Sequence, residues 1–248
     1  MKLFNWTMLL KKLLKNLLFA LDKEKLIQFK NRHQKGRCVI IGNGPSVNLQ
    51  DLEKLSEATT ICCNRFHLAY SHTNFRPDYT VVIDKKMIED FGDDIFSKAK
   101  TQTFSGRTFF PKRRDNIFYL PLVGGKFKFS KDITKFVSTG DSVIVVAIQI
   151  ALYMGMKEIY LYGIDHHFIH SDKDKNTGMV NGDGNHFIAN YRNGKDWFPP
   201  NIEKINSSLI ACSDFLTTQR GFLKNTTRGG KLDVLERESI KVLINEKI

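Results

Sequence analysis

Short apolar runs alternate with helical stretches from residue 37 onward. Arg37–Ile41 reads as a strand that ends in Gly42-Asn43-Gly44-Pro45-Ser46. Further strands are expected at Thr59–Asn64, Tyr79–Asp84, Thr101–Phe110, Ile117–Leu120 and Glu158–Gly163, with short extended pieces at Phe222–Thr226 and Leu232–Leu235. Helical spacing appears in Asp51–Leu55, in the apolar stretch Asp141–Met154 and in Asn201–Gln219. Strands that alternate with helices predict an α/β, Rossmann-like, mostly parallel sheet with helices on both faces. The stretch from about 168 to 200 is rich in Gly, Asn, Asp and His and has no period. So long a loop in a compact domain is expected to be a functional lid or mobile.

The first 36 residues follow another rule. Leu3, Trp6, Leu10, Leu13, Leu14, Leu17, Leu18 and Leu21 recur at helical spacing with lysines between them. Through Arg37 the chain carries ten Lys and Arg against Asp22 and Glu24, a net charge of +8. This predicts a basic amphipathic helix over 1–36 as an appendage to a catalytic domain over 37–248. Such a helix lies either on an anionic membrane, engaging it through residues 1–30, or on the domain's own core or a partner subunit. The expected setting is cytoplasmic, peripheral to the inner membrane.

Charge narrows the class of partner. The 248 residues hold 38 Lys and Arg against 26 Asp and Glu, for a net +12. That balance favours anionic ligands. Basic residues of the body are dispersed among acids, so nucleic acid is not expected as a partner. No apolar run reaches the ~18–20 residues of a membrane span. Cys38, Cys62, Cys63 and Cys212 form no C-x-x-C pair and read as buried thiols.

Ligands of an open parallel sheet bind beyond the carboxyl ends of its strands, and four elements fall there. Gly42 and Gly44 let the backbone turn tightly, and Ser46 could cap the following helix. Asn64 offers donor and acceptor to a base or ribose, and Arg65 offers a forked cation to phosphate. Asp84 ends an apolar run, where it holds hydroxyls or a cation, or caps a helix. Ser138, Thr139 and Gly140 precede the long apolar helix as an anion cradle, or Ser138 or Thr139 simply caps it. Beyond these, Asp165-His166-His167 and His170 follow a strand without the H-E-x-x-H pattern of a zinc site, so no metal site is expected. His186, in the lid, has the side chain of a general base.

As an ordered set these motifs resemble a known group of proteins. Val39-Ile40-Ile41-Gly42-Asn43-Gly44-Pro45-Ser46, Cys63-Asn64-Arg65-Phe66, Pro77-Asp78-Tyr79, Ser138-Thr139-Gly140 and Lys157 through Asp165 resemble the bacterial sialyltransferases of glycosyltransferase family 42. They also resemble MptE-like (DUF115) domains, which include 6-hydroxymethylpterin diphosphokinases and proteins of surface-polysaccharide clusters. His186-Phe187, Asn190-Tyr191, Trp197, Pro199 and the Asn225 to Leu232 segment look closer to the polysaccharide-cluster group.

The resemblance implies a GT-A-like fold and a metal-independent transferase of a CMP-activated acidic sugar, of sialic acid or Kdo type, in lipopolysaccharide or capsule synthesis. Its partners would be the nucleotide-sugar donor and a lipid-linked or glycan acceptor, with no separate cofactor. Gly42, Asn43, Ser46 and Asn64 would hold CMP. Ser138, Thr139 and Gly140 would meet the donor's phosphate or carboxylate, and Asp165 would close the nucleotide end. This chain has His167 where the sialyltransferases place a tyrosine that assists phosphate departure. Asn190 stands at their base histidine, so the base has moved to His186 or the reaction differs. The alternatives are a diphosphokinase that uses ATP and Mg²⁺, with Asp84 and Asp165 as ligands, and a non-catalytic nucleotide-binding subunit.

Overall fold

A computed structural model describes residues 20–34, 36–55, 57–106 and 115–244. The strand expected over 107–110 and most of the basic helix, residues 1–19, lie outside them. Nine strands are present in the described residues: β1 Arg37–Ile41, β2 Ala58–Cys63, β3 Tyr79–Val82, β4 Gln102–Gly106, β5 Ile117–Leu120, β6 Leu122–Val123, β7 Val137–Ser138, β8 Glu158–Tyr162 and β9 Phe222–Asn225. Besides a helical segment over 20–27, the helices of the described residues are α1 Leu49–Glu53, α2 Lys85–Lys98, α3 Val143–Tyr153 and α4 Ile202–Thr218.

Seven strands form one parallel sheet in the order β5-β4-β3-β2-β1-β8-β9, and β6 and β7 make a separate parallel ladder. Strands such as Cys38-Val39-Ile40-Ile41 are buried at every position because the sheet is covered on both faces. On one face lie α3 and α4. The former is buried almost all round, so it reads as a continuous apolar run rather than a stripe. The other face carries α1, a 3₁₀ turn over Phe66–Ser71 and the C-terminal segment around Ile240–Ile244. Helix α2 packs Met87, Ile88, Phe91, Ile95 and Phe96 beside β3 and β5 and meets Tyr191.

Within the expected appendage, residues 20–27 are helical, and Leu26 and Phe29 are fully buried in the core. The Phe29 ring stands edge-on to Phe104 at 4.8 Å and to Phe118 at 4.7 Å. The last turns of that segment are therefore part of the domain's packing. Leu232–Leu235, expected as extended, pairs with no strand. All four cysteines are free and buried, and burial pushes the Cys63 thiol up to about 12.

Candidate active site

The strand order reverses between β1 and β8, since the chain runs outward from β1 to β5 and then returns on the other side. In open parallel sheets such a switch point is where ligands bind. The turn after β1 is held close to the turn after β8: the Gly44 N–H donates to the Gly163 carbonyl at 3.0 Å. A Cβ on Gly42 would strike the Gly163 carbonyl, and one on Gly44 would overlap the Asp165 carboxylate. Both positions need glycine for this close approach.

Ser46 was expected to cap the next helix. That role belongs to Asn48, whose side chain accepts from the Gln50 N–H at 2.9 Å. Ser46 instead donates its hydroxyl (2.7 Å) and its N–H (3.3 Å) to Asp165 Oδ2. The Asp165 carboxylate thus ties the β8 turn to the β1 turn. Behind it, the Tyr162 hydroxyl accepts from the Asn48 N–H at 3.0 Å and donates to the buried Asp51 at 2.7 Å. Burial, reinforced by that Asp51 bond, pushes the Tyr162 hydroxyl up to about 12. Arg228 pairs with the same Asp51 oxygen at 2.7 Å.

The β2 end adjoins this turn. Asn43 Nδ2 donates to the Cys63 carbonyl at 2.8 Å, and Asn64 follows in the left-handed region with φ 52°. The Oδ1 atoms of both Asn43 and Asn64 are buried and have no hydrogen-bond partner. A buried acceptor left in this state costs roughly 1–3 kcal/mol. The two acceptors stand just beyond the ends of the neighbouring strands β1 and β2.

The lid closes over these groups. The Phe187 N–H donates to the Asn43 carbonyl at 2.9 Å, and the Phe187 ring lies 5.7 Å from Phe66. His186 stacks on Tyr191 with centroids 3.6 Å apart and planes 8° from parallel. Burial, then the positive charge of Arg192, lowers the His186 imidazole to about 4; Arg65 adds to this and Asp183 opposes it. His186 is neutral at ordinary pH.

Arg65 departs from expectation. Its guanidinium is buried, donates to the Tyr191 carbonyl, pairs with Asp94 at 3.5 Å and stacks 3.9 Å from the Phe91 ring centroid. Its N–H donates to the Tyr191 hydroxyl at 2.9 Å. The forked cation is spent on clamping the lid to α2 and is not presented to phosphate. Arg192 makes a second clamp, donating to the Asp196 carbonyl at 2.9 Å and lying 3.8 Å from Asp90.

Ser138 ends β7 in the separate β6–β7 ladder, and Thr139 and Gly140 form the turn that leads to α3; among the described residues no hydrogen bond joins them to the turns after β1, β2 or β8. Neither Ser138 nor Thr139 caps α3; Ser142 does, accepting from the Ile144 N–H at 3.2 Å. Ser138 is fixed by the fully buried Gln149, which accepts from its N–H at 3.3 Å and donates to its carbonyl at 2.8 Å. Gly140, with φ 51°, packs against Ser208 of α4.

Asp84 caps α2, accepting from the Met87 N–H at 3.0 Å. It follows β3, which is three strand spacings from β8, or about 14 Å across the sheet. Asp84 and Asp165 therefore do not fit a shared Mg²⁺, whose ligands must all lie about 2 Å from the ion. His167 is exposed, and His166 bonds Asn206 Oδ1 at 2.8 Å. No group of three or more metal-ligating side chains occurs among the described residues.

The fold thus gathers Gly42, Asn43, Gly44, Ser46, Asn64 and Asp165 at the adjoining ends of β1, β2 and β8. His186 comes near them through the lid, whereas Asp84 and the Arg65 guanidinium stand elsewhere. Sequence reading missed Gln149, Tyr191, Arg192 and the Asp51–Tyr162–Arg228 triad. Gln149 had a legible signal as the one polar residue inside Val143–Tyr153.

Residues 11–171 match the family described as 6-hydroxymethylpterin diphosphokinase MptE-like. The chain belongs to the MptE-like family. Among solved structures it is similar to the MAf glycosyltransferase from Magnetospirillum magneticum AMB-1, at 16% identity and TM-score 0.54. That match covers 92% of this chain and 39% of the neighbour, so this MptE-like chain spans well under half of the longer protein. A second match is the sialyltransferase CstII from Campylobacter jejuni, solved with a substrate analogue, cytidine-5'-monophosphate. It has 13% identity and TM-score 0.36, and covers 85% of this chain and 84% of that one. Both structural neighbours are glycosyltransferases. No curated protein matches this chain. None of the helices among the described residues is long and apolar enough to cross a membrane.

Proposed function

We propose that this protein is a glycosyltransferase that takes a CMP-activated acidic sugar, of sialic acid or Kdo type, and uses no metal. The observation that carries this reading is the pair of buried, unpartnered amide oxygens, Asn43 Oδ1 and Asn64 Oδ1, at the topological switch point. The exocyclic amino group of cytosine has two N–H donors, one for each oxygen, whereas uracil carries a carbonyl acceptor at that position and only a single ring N3–H. Satisfying both removes a penalty of roughly 1–3 kcal/mol apiece.

The chemistry is an in-line displacement. The acceptor hydroxyl oxygen bonds the anomeric carbon while the bond to the phosphate oxygen breaks, and CMP leaves with the electron pair. His186, neutral at working pH, takes the hydroxyl proton. Asp165 keeps Ser46 and the β1 turn against the nucleotide. His167, beside Asp165, donates to the departing phosphate, and Ser138, Thr139 and Gly140 meet the sugar carboxylate. The acceptor is lipid-linked or a glycan of lipopolysaccharide or capsule. The basic residues of 1–30 hold the enzyme at an anionic membrane, on the cytoplasmic face of the inner membrane.

The test is turnover with CMP-sialic acid and CMP-Kdo, read as CMP released, with and without EDTA. Release that survives EDTA is expected. The family description favours a second reading, transfer of diphosphate from ATP to a hydroxymethyl acceptor. Consumption of ATP that stops with EDTA, with CMP-sugars untouched, would establish that reading instead.

A further inference from the structure

Beside these strand ends, on the α1 side of the sheet, lies an open cleft of about 360 Å³. It is lined by Thr226, Thr227, Arg228, Glu238, Ser239, Ile240 and Lys241. Two links join it to the switch point. The Thr227 hydroxyl accepts from the Ile164 N–H at 3.0 Å, next to Asp165. Arg228 reaches Asp51, the partner of Tyr162, at 2.7 Å.

The charge of this cleft is uneven. Glu238 is already engaged: it accepts from the Ser239 N–H at 2.9 Å and pairs with Lys224 at 3.5 Å. Arg228 spends one nitrogen on Asp51, and its half-exposed guanidinium keeps further N–H donors for the cleft. Lys241 is exposed and meets no carboxylate within 4 Å among the described residues. Ser239 is exposed, and its hydroxyl, which accepts from the Lys241 N–H at 3.3 Å, keeps its own proton to donate; the Thr226 hydroxyl is buried and spent on the Leu161 carbonyl at 2.9 Å. Hydroxyl-lined walls with two cations suit a polyhydroxylated ligand that carries one anionic group.

We propose that this cleft binds an acidic sugar, a uronic acid or a sugar phosphate, and is the acceptor subsite of the transfer reaction. The acceptor role rests on the donor reading given above. Arg228 grips the carboxylate or phosphate by its fork, Lys241 adds a second charge, and the sugar hydroxyls meet Ser239 and the free proton of the Thr227 hydroxyl. The bound acceptor then stands one residue from Asp165 along the chain of contacts, beside the donor site.

The experiment is ligand-observed NMR titration of the full chain with glucuronate, glucose 6-phosphate and glucose, with CMP titrated in parallel by calorimetry. One charge-assisted contact is worth about tenfold in affinity. Glucuronate or glucose 6-phosphate is expected to bind at least about tenfold more tightly than glucose. The better of the two identifies the anionic group. Lys241→Gln and Arg228→Lys are each expected to lose about tenfold toward it, and CMP affinity is expected to stay unchanged in Lys241→Gln. The lysine at 228 keeps a cation beside Asp51 and so preserves the fold. Equal binding of glucose and the acidic sugars, or full retention of acidic-sugar affinity in both variants, overturns the proposal. Acidic-sugar binding without CMP binding removes the transferase reading and the acceptor role but keeps the sugar site. CMP binding without acidic-sugar binding does the reverse.

Discussion

His186 should make the stability of this protein fall in mild acid, by an amount the structure fixes. In the unfolded chain its imidazole titrates near 6.5; in the fold, burial and the charges of Arg192 and Arg65 lower it to about 4. Above pH 6.5 the ring is neutral in both states and its contribution is fully present. Between 6.5 and about 4 the unfolded chain takes up a proton that the native state refuses, so stability declines as pH falls. The two values differ by about 2.5 pH units, which at about 1.4 kcal/mol each gives roughly 3.5 kcal/mol as an upper bound. His33, His67 and His166 are also lowered, first by burial, so the wild-type slope is a sum. The His186 share is isolated by subtracting the curve of His186→Gln. Urea denaturation of both proteins at several pH values from 7.5 to 4.5 supplies the measurement. Loss of the Tyr191 stack lowers the variant by a constant, but the variant should lose less stability than the wild type as the pH falls. Parallel curves would refute the claim that the lid buries a neutral imidazole against two arginines.

Three further perturbations probe other joints. Gly44→Ala drives a Cβ into the Asp165 carboxylate and should lower stability by about 1–3 kcal/mol and weaken nucleotide binding, seen by thermal denaturation and calorimetry. Gln149→Leu strands the N–H and carbonyl of Ser138, both buried, and should cost about 2–4 kcal/mol, with faster amide exchange at Ser138 and Thr139 as the local readout. Phe29→Ala empties a site among Phe104 and Phe118 and should cost about 3–5 kcal/mol; a change under 1 kcal/mol would mean that residues 26–34 are not part of the core.

The sheet was readable from sequence because parallel strands buried on both faces are short apolar runs with sharp polar ends. Arg37–Ile41 and Ile117–Leu120 match their expected bounds for that reason. Helix α2 had a legible start in Asp84 and an apolar stripe from Met87 to Phe96, but Gly92 and the acidic pair at 93 and 94 blur the period. The site residues Gly42 to Ser46, Asn64 and Asp165 follow strands, and strand ends can be located without knowing the tertiary fold. Arg65 could not be assigned this way. An arginine after a strand looks the same in sequence whether it faces phosphate or, as here, clamps Tyr191 to Asp94. The pairing depends on a lid contact 126 residues away. The same distance in sequence hides the Asp51–Tyr162–Arg228 triad.

The central claim is that the ends of β1 and β2 form a pocket for a cytosine nucleotide through two unpartnered amide oxygens. Isothermal calorimetry with CMP and UMP, on the wild type and on Asn64→Ala, tests it most directly. The account predicts that CMP binds, that UMP binds at least about tenfold more weakly, and that Asn64→Ala erases this preference. Equal affinity for CMP and UMP, or an unaltered preference in the variant, would contradict it.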